Sequence, residues 1–204
     1  MQRRTFFSLA GAMGLHATDA PKESGFWLLE NYYLKQGTQM ARLHDWLKFT
    51  RLPAIQKLHT GPVIVMEALA AQNMPQVAVA IRSEPQPEWT SIMATDEENP
   101  RIFELRVYDS PSWNQLRDLH ESKIFQRVGV RPIFHSLPLA GTDMPNLTYL
   151  VPFDNLASRE KAWDAFSADA EWVKLQKEAA GKYGQISRVS RISIFKSAFY
   201  SLVR

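Results

Sequence analysis

A short motif occurs twice in the chain, first as Asn73-Met74-Pro75-Gln76-Val77 and then as Asp143-Met144-Pro145-Asn146-Leu147. Each copy follows a proline, Pro62 or Pro132, at the same separation, and each leads into a run of apolar residues. A turn motif of this kind in front of an apolar run is typical of a hairpin that joins two strands. Its recurrence at a constant offset predicts an internal duplication.

The sequence before each motif repeats as well. A strand rich in aromatic residues is predicted at residues 26–34 and again at 102–108, with Glu30 and Glu104 in equivalent positions. Two further strands flank each motif, because apolar runs lie on both sides of the turn. These strands are predicted at 63–69 and 77–81 in the first copy, and at 133–137 and 147–151 in the second.

A helix is predicted after each aromatic strand, because apolar residues then recur at helical spacing. These positions are Met40, Leu43, His44 and Leu47 in the first copy, and Trp113, Leu116, His120 and Ile124 in the second.

The two copies differ after the third strand. The second copy continues into an amphipathic helix at 158–166, a second helical segment at 169–177 and a strand at 187–195. The first copy has two prolines and a short possible helix at 89–93, and no fourth strand is visible.

Each full unit therefore has the order β-α-β-β-α-β, which is the ferredoxin-like order. The predicted fold class is α+β, with two tandem ferredoxin-like modules. Residues 24–99 form a degenerate unit and residues 100–204 a complete one.

Four segments of the second copy, taken in their order and spacing, resemble the NIPSNAP family over residues 103–199. They are Phe103-Glu104-Leu105-Arg106-Val107-Tyr108, Asn146-Leu147-Thr148-Tyr149-Leu150, Ser158-Arg159-Glu160-Lys161-Ala162-Trp163 and Asp169-Ala170-Glu171-Trp172. Residues 26–92 look like a second, degraded NIPSNAP unit that lacks equivalents of Trp163 and Trp172.

The resemblance implies the dimeric α-β barrel superfamily, in which two ferredoxin-like sheets close face to face. With both units on one chain, such a barrel could form within a single polypeptide. Relatives in that superfamily include haem-dependent enzymes, cofactor-free monooxygenases and proteins without known catalysis, so the fold does not fix a reaction.

The N-terminus, Met1-Gln2-Arg3-Arg4-Thr5-Phe6-Phe7, is followed by a short, weakly apolar stretch rich in small residues. This layout predicts a signal peptide over residues 1–20 of the twin-arginine type, with cleavage after Ala17 or Ala20 and export to the periplasm. The alternative is an N-terminal arm in which the arginine pair has no targeting role, and the protein is then cytoplasmic.

The bulk composition excludes several classes of function. The 204 residues are 45% hydrophobic, and 24 basic residues against 21 acidic ones leave a net charge of +3 without a basic run, so nucleic acid is not an expected partner. The absence of cysteine excludes disulfides and thiolate chemistry. No apolar run is long enough for a transmembrane helix, and no metal-ligand spacing, serine-nucleophile motif or phosphate loop is present.

Strand alternation places Phe103, Leu105 and Val107 on one face of the 102–108 strand and the intervening residues on the other. We expect the apolar face to pack on the helices, and the polar face to point into the barrel and bind a ligand. Glu104 and Arg106 are candidate catalytic groups, and the alternative is that they form a structural ion pair. The predicted ligand-binding residues are Glu30, Tyr32, Glu104, Arg106, Tyr108, His135 and Tyr149.

Among the histidines, His135 is the strongest candidate for a haem ligand or general base, because it lies in a strand that could face the cavity. His44 and His120 lie on the apolar sides of their helices and are interpreted as packing residues. His59 lies near a helix end, where a cation is favoured.

Three hypotheses about function follow. The first is a module that binds a hydrophobic small molecule or another protein without catalysis. The second is a haem-dependent or cofactor-free oxidoreductase or monooxygenase that uses His135, Tyr149 or the Glu104–Arg106 pair on a hydrophobic substrate. The third is a duplication that builds the surface of a homo-oligomer.

Overall fold

The computed structural model describes residues 2–9, 26–58, 61–83, 101–109, 122–184 and 189–203. The predicted helix at 89–93, most of the helix that begins near Trp113, and the residues His59 and His120 lie outside these ranges. The strands are β1 (Gln2–Leu9), β2 (Phe26–Tyr33), β3 (Val63–Ala70), β4 (Gln76–Arg82), β5 (Ile102–Asp109), β6 (Phe134–Ala140), β7 (Asn146–Phe153) and β8 (Val189–Ser197). The helices are α1 (Gln39–Trp46), α2 (Leu52–Leu58), α3 (Ser122–Arg127), α4 (Leu156–Ala168) and α5 (Ala170–Tyr183), with a π-helical turn (Leu47–Arg51) between α1 and α2.

The strands form one closed barrel in the order β1-β2-β4-β3-β8-β5-β7-β6. Every pair of neighbours is antiparallel. The chain is therefore an α+β protein, as predicted, and the strands predicted in both copies are confirmed with ends that differ by a few residues. Within the described ranges, no helix combines the length and apolar character needed to cross a membrane.

Both faces of the sheet are buried, and the apolar residues accordingly form three clusters. One cluster lies inside the barrel, where residues of β2, β5 and β8 such as Trp27, Phe103 and Phe195 meet. A second lies between β2–β4 and the α1–α2 segment, around Leu47 and Val79. The third lies between β5–β7 and helices α3 to α5 and contains much of the aromatic content of the chain.

Local sequence explains where several of the helices begin. Asn155 caps α4 by accepting from the Ser158 amide, and the Ser158 hydroxyl accepts from the Asn155 amide in return. Asp169 caps α5 through the amides of Glu171 and Trp172. Pro53 has no amide proton, which interrupts the α-helical ladder next to the π-helical turn.

Strand β1 is formed by residues that the sequence predicts to be a signal peptide. Gln2–Leu9 pairs with β2 along its whole length and with the end of β6 through three residue pairs. Its place beside β2 matches the place of β8 beside β5 in the strand order. In the sheet, β1 thus takes the place that the fourth strand of the first predicted unit would have.

Candidate functional site

Glu104, the central candidate from the sequence, lies on the face of the sheet that contacts the helices. Its side chain is completely buried. It is paired with Nε of Arg106, accepts from Nε of Arg159 at 2.5 Å, and accepts from Nε1 of Trp163 at 3.0 Å. Because Arg159 and Trp163 belong to α4, the prediction that Glu104 points into the barrel is wrong, and the alternative of an ion pair is confirmed.

Glu30 occupies the equivalent position on β2 and is also completely buried. It accepts hydrogen bonds from the Tyr32 hydroxyl at 2.5 Å and from the Arg51 guanidinium at 2.8 Å. Arg51 ends the π-helical turn, so Glu30 too faces the helices and not the barrel interior. The predicted orientation of Glu30 and Tyr32 is therefore wrong.

Arg106 and the tyrosines around it complete the polar layer on the outside of β5. The Arg106 guanidinium lies 3.6 Å from the centre of the Trp163 ring and donates to the Tyr108 hydroxyl at 2.7 Å. Burial alone would lower the pKa of Arg106, but Tyr108, Tyr149 and Glu104 raise it above its usual value. Burial has the opposite effect on a phenol, and it raises the pKa of Tyr149. Arg106 therefore stays charged and Tyr149 neutral, in a layer between sheet and helices.

His135 also lies on the helix side of the sheet. Its ring centre is 5.2 Å from that of Tyr149 and 5.9 Å from that of Phe125, and both residues belong to the cluster under α3 to α5. The preceding residue, Phe134, is the one that points into the barrel. The prediction that His135 faces the cavity is wrong.

A single physical reason explains these errors of orientation. The predicted orientations rest on the apolar residues of each strand packing against the helices. In a closed barrel, however, the interior is a second apolar environment. The apolar set, including Leu29 and Leu105, fills that interior. Successive side chains of a strand point to opposite faces of the sheet. If the inward face is assigned wrongly, each residue that lines the interior is therefore the sequence neighbour of the one predicted.

The barrel contains a cavity of about 510 Å³ at the end where the β3–β4 and β6–β7 hairpins lie. Its apolar wall is formed by residues of several strands. They include Leu29, Leu105, Val107, Phe134 and Ile192. The residues that supply this wall in β2, β5 and β6 are direct neighbours in sequence of the candidates named above.

The polar part of the lining includes a buried amide pair and two oppositely charged residues, Asp143 and Arg191. Nε2 of Gln76 donates to Oδ1 of Asn31 at 2.8 Å, and both side chains are almost completely buried. At the rim, Arg191 forms ion pairs with Asp109 at 3.0 Å and with Asp143 at 3.1 Å. None of these five residues was predicted as part of the site. Asn31 could have been found by strand alternation, if the face of β2 that contains Leu29 had been taken as the one that points into the barrel.

The opposite end of the barrel is closed by the C-terminal residues. Val203 is completely buried in the interior cluster that also contains Trp27. The Val65 amide donates to the Ser201 hydroxyl at 3.0 Å, and the Ser197 hydroxyl donates to the Val203 carbonyl at 3.1 Å. The cavity therefore opens at the hairpin end.

A second polar cluster lies outside the barrel, at the junction of α1 with β3 and β8. Nδ1 of His44 is 2.7 Å from the Tyr200 hydroxyl, and its Nε2 is 3.4 Å from a Glu67 carboxylate oxygen. Glu67 also pairs with Lys196 at 3.4 Å. Burial lowers the pKa of His44, although Glu67 raises it. His44 is thus a partly buried packing residue with polar partners, as the sequence predicted.

Among the described residues, no histidine is placed to bind haem in the cavity. His135 is separated from the cavity by the sheet, and the cavity lining in the described residues contains no histidine. The same part of the chain contains no cluster of His, Asp and Glu that could hold a metal ion. The residues present do not fit a histidine-bound haem in the cavity.

A closed antiparallel sheet with helices on its outer face and a cavity at one end defines an α+β barrel with a candidate ligand site. A family model of NIPSNAP matches residues 100–199, so the C-terminal part of the chain contains a NIPSNAP domain. Comparison with curated proteins and with solved structures gives no significant match.

Proposed function

We propose that the protein is a binding module that encloses a small, largely apolar molecule in the cavity at the hairpin end of the barrel. The observation that carries this proposal is the cavity of about 510 Å³ with an apolar wall and a few buried polar groups. Volumes of this order and linings of this kind are typical of small-molecule sites. The ligand would lie against Leu29, Leu105 and Phe134, with its polar end near Asn31 and Gln76.

The oxidoreductase hypothesis has less support from the geometry. Its candidate groups Glu104, Arg106 and Tyr149 are bound to one another or to α4 on the far side of the sheet from the cavity. Catalysis by these residues would need a substrate between the sheet and the helices. The lining of the cavity itself supplies Asp143, in an ion pair with Arg191, and the phenol of Tyr33.

Binding is tested by filling the cavity. Val107 lines it, whereas Val173 on α5 is exposed and lies outside it. We expect the neutral fluorophore N-phenyl-1-naphthylamine to bind the native protein. Val107→Trp should weaken binding by about 10-fold or more, because the indole takes the place of the ligand.

Val173→Trp is the matched control and should bind the fluorophore like the native protein. Near-UV circular dichroism of both variants checks that the fold is retained. Equal binding by all three proteins, or none by the native protein, would contradict the proposal.

We further propose that the barrel is the intramolecular form of a two-sheet assembly, in which β1–β4 supply one sheet and β5–β8 the other. The strand orders β1-β2-β4-β3 and β8-β5-β7-β6 support it, since equivalent strands then take equivalent places. The family match to residues 100–199 covers the second half. This arrangement makes a monomer self-sufficient, and light scattering at several concentrations tests whether a homo-oligomer forms instead.

Export through a twin-arginine signal remains a prediction, and cleavage of that signal would change the barrel. Cleavage after Ala17 or Ala20 would remove β1 and leave β2 paired with β4 alone. The intact mass of the protein recovered from periplasmic and cytoplasmic fractions tests this directly. A periplasmic chain that begins near Pro21 supports export with cleavage, and a full-length cytoplasmic chain supports β1 as a permanent strand.

A further inference from the structure

We propose that the cavity selects an uncharged ligand that carries an amide-type group, and that Asn31 and Gln76 bind this group. The inference rests on the proposed binding function and adds the chemical class of the ligand. Asn31 and Gln76 are diagonal neighbours on the paired strands β2 and β4, since Asn31 lies opposite Ala78 and Gln76 opposite Tyr33, and both line the cavity.

The two side-chain amides present one donor and one acceptor to the cavity. Their mutual hydrogen bond uses Nε2 of Gln76 and Oδ1 of Asn31. Among the described residues, no protein group bonds to Nδ2 of Asn31 or to Oε1 of Gln76, and neither atom is sealed away from the cavity. If both amides are turned over, the pair still presents one donor and one acceptor.

The burial of Asn31 and Gln76 indicates which chemical groups a ligand would present to them. Asn31 is 4% exposed and Gln76 is 5% exposed, so bulk water reaches them only through the cavity. A buried donor or acceptor without a partner is unfavourable, and native structures satisfy such groups with protein, water or ligand. A neighbouring donor and acceptor are matched by an amide or lactam, which offers an acceptor and a donor at similar spacing.

The equivalent position in the second copy does not offer such a pair. In the pairing of β5 with β7, Val107 takes the place that Asn31 has in the pairing of β2 with β4, and Asn146 takes the place of Gln76. Asn146 is occupied by its own hairpin, because Nδ2 donates to the Thr142 and Asp143 carbonyls and Oδ1 accepts from Thr148. The polar end of a ligand is therefore directed to the β2–β4 side.

The charges of the lining favour a neutral ligand. The ionised side chains among the described lining residues are Asp143 and Arg191. Among the described lining residues, Arg191 is the one cation, and both Asp143 and Asp109 engage it. A carboxylate also lacks the donor that Oε1 of Gln76 would accept.

Three probes with the same apolar body test the proposal, namely octanamide, octanoate and octylammonium. Each displaces N-phenyl-1-naphthylamine from the full-length protein at neutral pH. We expect octanamide to bind about 10-fold more tightly than octanoate, which corresponds to one buried hydrogen bond. Asn31→Leu and Gln76→Leu should each abolish this preference, and Asn31→Asp should raise the affinity for octylammonium.

Gln176→Leu is the matched control, because Gln176 is exposed on α5 and lies outside the cavity lining. It should keep the preference for octanamide. Equal binding of the three probes, with loss of all binding in Val107→Trp, overturns the amide inference and leaves the binding function intact. Tighter binding of octanoate also overturns it, and no binding of any probe to the native protein contradicts both proposals.

Discussion

Glu30 and Glu104 hold the same position in the repeated sequence, and both are completely buried on the helix side of the sheet. They differ in what neutralises them. Glu30 is paired with Arg51, which lies in the π-helical turn between β2 and β3. Glu104 is paired with Arg106 on its own strand and with Arg159 on α4.

This difference shows that the same buried carboxylate can be stabilised by different helices. In the first half, the arginine comes from the π-helical turn between β2 and β3. In the second half, it comes from the helix after the third strand, and Trp163 of the same helix adds a hydrogen bond. A buried charge needs a partner with good geometry, but the element that supplies the partner is free to vary.

The largest expected effect is the loss of charge at Glu104. Glu104→Gln should lower the free energy of unfolding by about 3–5 kcal/mol, because Arg106 and Arg159 lose their counter-charge in a buried layer. Glu30→Gln should cost less, about 1–3 kcal/mol, because Arg51 is 28% exposed and can be solvated. Urea denaturation of both variants measures the difference, and a larger loss at Glu30 would contradict this account.

The next effect separates the helix contact from the rest of the Glu104 cluster. Arg159→Met removes the two hydrogen bonds to Glu104 and keeps the aliphatic stem, and should cost about 1.5–3 kcal/mol. Arg127→Met is the matched control, because Arg127 pairs with Asp169 and Glu171 on the exposed surface. It should cost clearly less, since exposed ion pairs contribute little. Equal losses of unfolding free energy in the two variants would show that burial does not make the Glu104 ion pairs more stabilising than the exposed ones.

A smaller effect should be seen where the halves meet, at His44. Because the folded state holds the pKa of His44 below its ordinary 6.5, the unfolded chain takes up a proton first as the pH falls. The stability contributed by neutral His44 is complete above about pH 6.5 and is lost as the pH falls from there toward the folded-state pKa.

His44→Gln should therefore flatten the fall in unfolding free energy between about pH 7.5 and about pH 5.5. Glu67, Lys196, Asp45 and Tyr200 surround the ring and remain in the variant. Thermal unfolding across this range measures the effect. An unchanged pH profile in the variant would show that His44 does not couple to folding.

The smallest expected effect concerns the two faces of the sheet. If hemin is added to the native protein and to His135→Ala, the two absorption spectra should be the same, because His135 lies across the sheet from the cavity. A Soret band that disappears only in His135→Ala would contradict this placement and revive the haem hypothesis.

Much of the fold could be predicted because its signals are local. The strand at Ile102–Asp109 shows period-two alternation, and the helix at Leu156–Ala168 shows a helical pattern behind an Asn cap. The repeated Met-Pro motifs correctly place the two hairpins that now surround the cavity. Strand β1 was missed because its sequence also fits the layout of a signal peptide.

The candidate site was predicted less well because its signals are not local. Alternation separates Glu104 from Leu105, but it does not say which of them points into a barrel. Glu104 can face the helices only because Arg159 and Trp163, which are far away in sequence, come together over it. The partners of Glu30 and His44 were hidden for the same reason.

The sequence alone determined the order of the strands from β2 to β8 and the two faces of each of them, because these depend on residues a few positions apart. Only the tertiary structure decided which face encloses the cavity. Both faces are buried in this barrel, so the hydrophobic effect does not distinguish them, and the choice depends on where long-range partners neutralise Glu30 and Glu104.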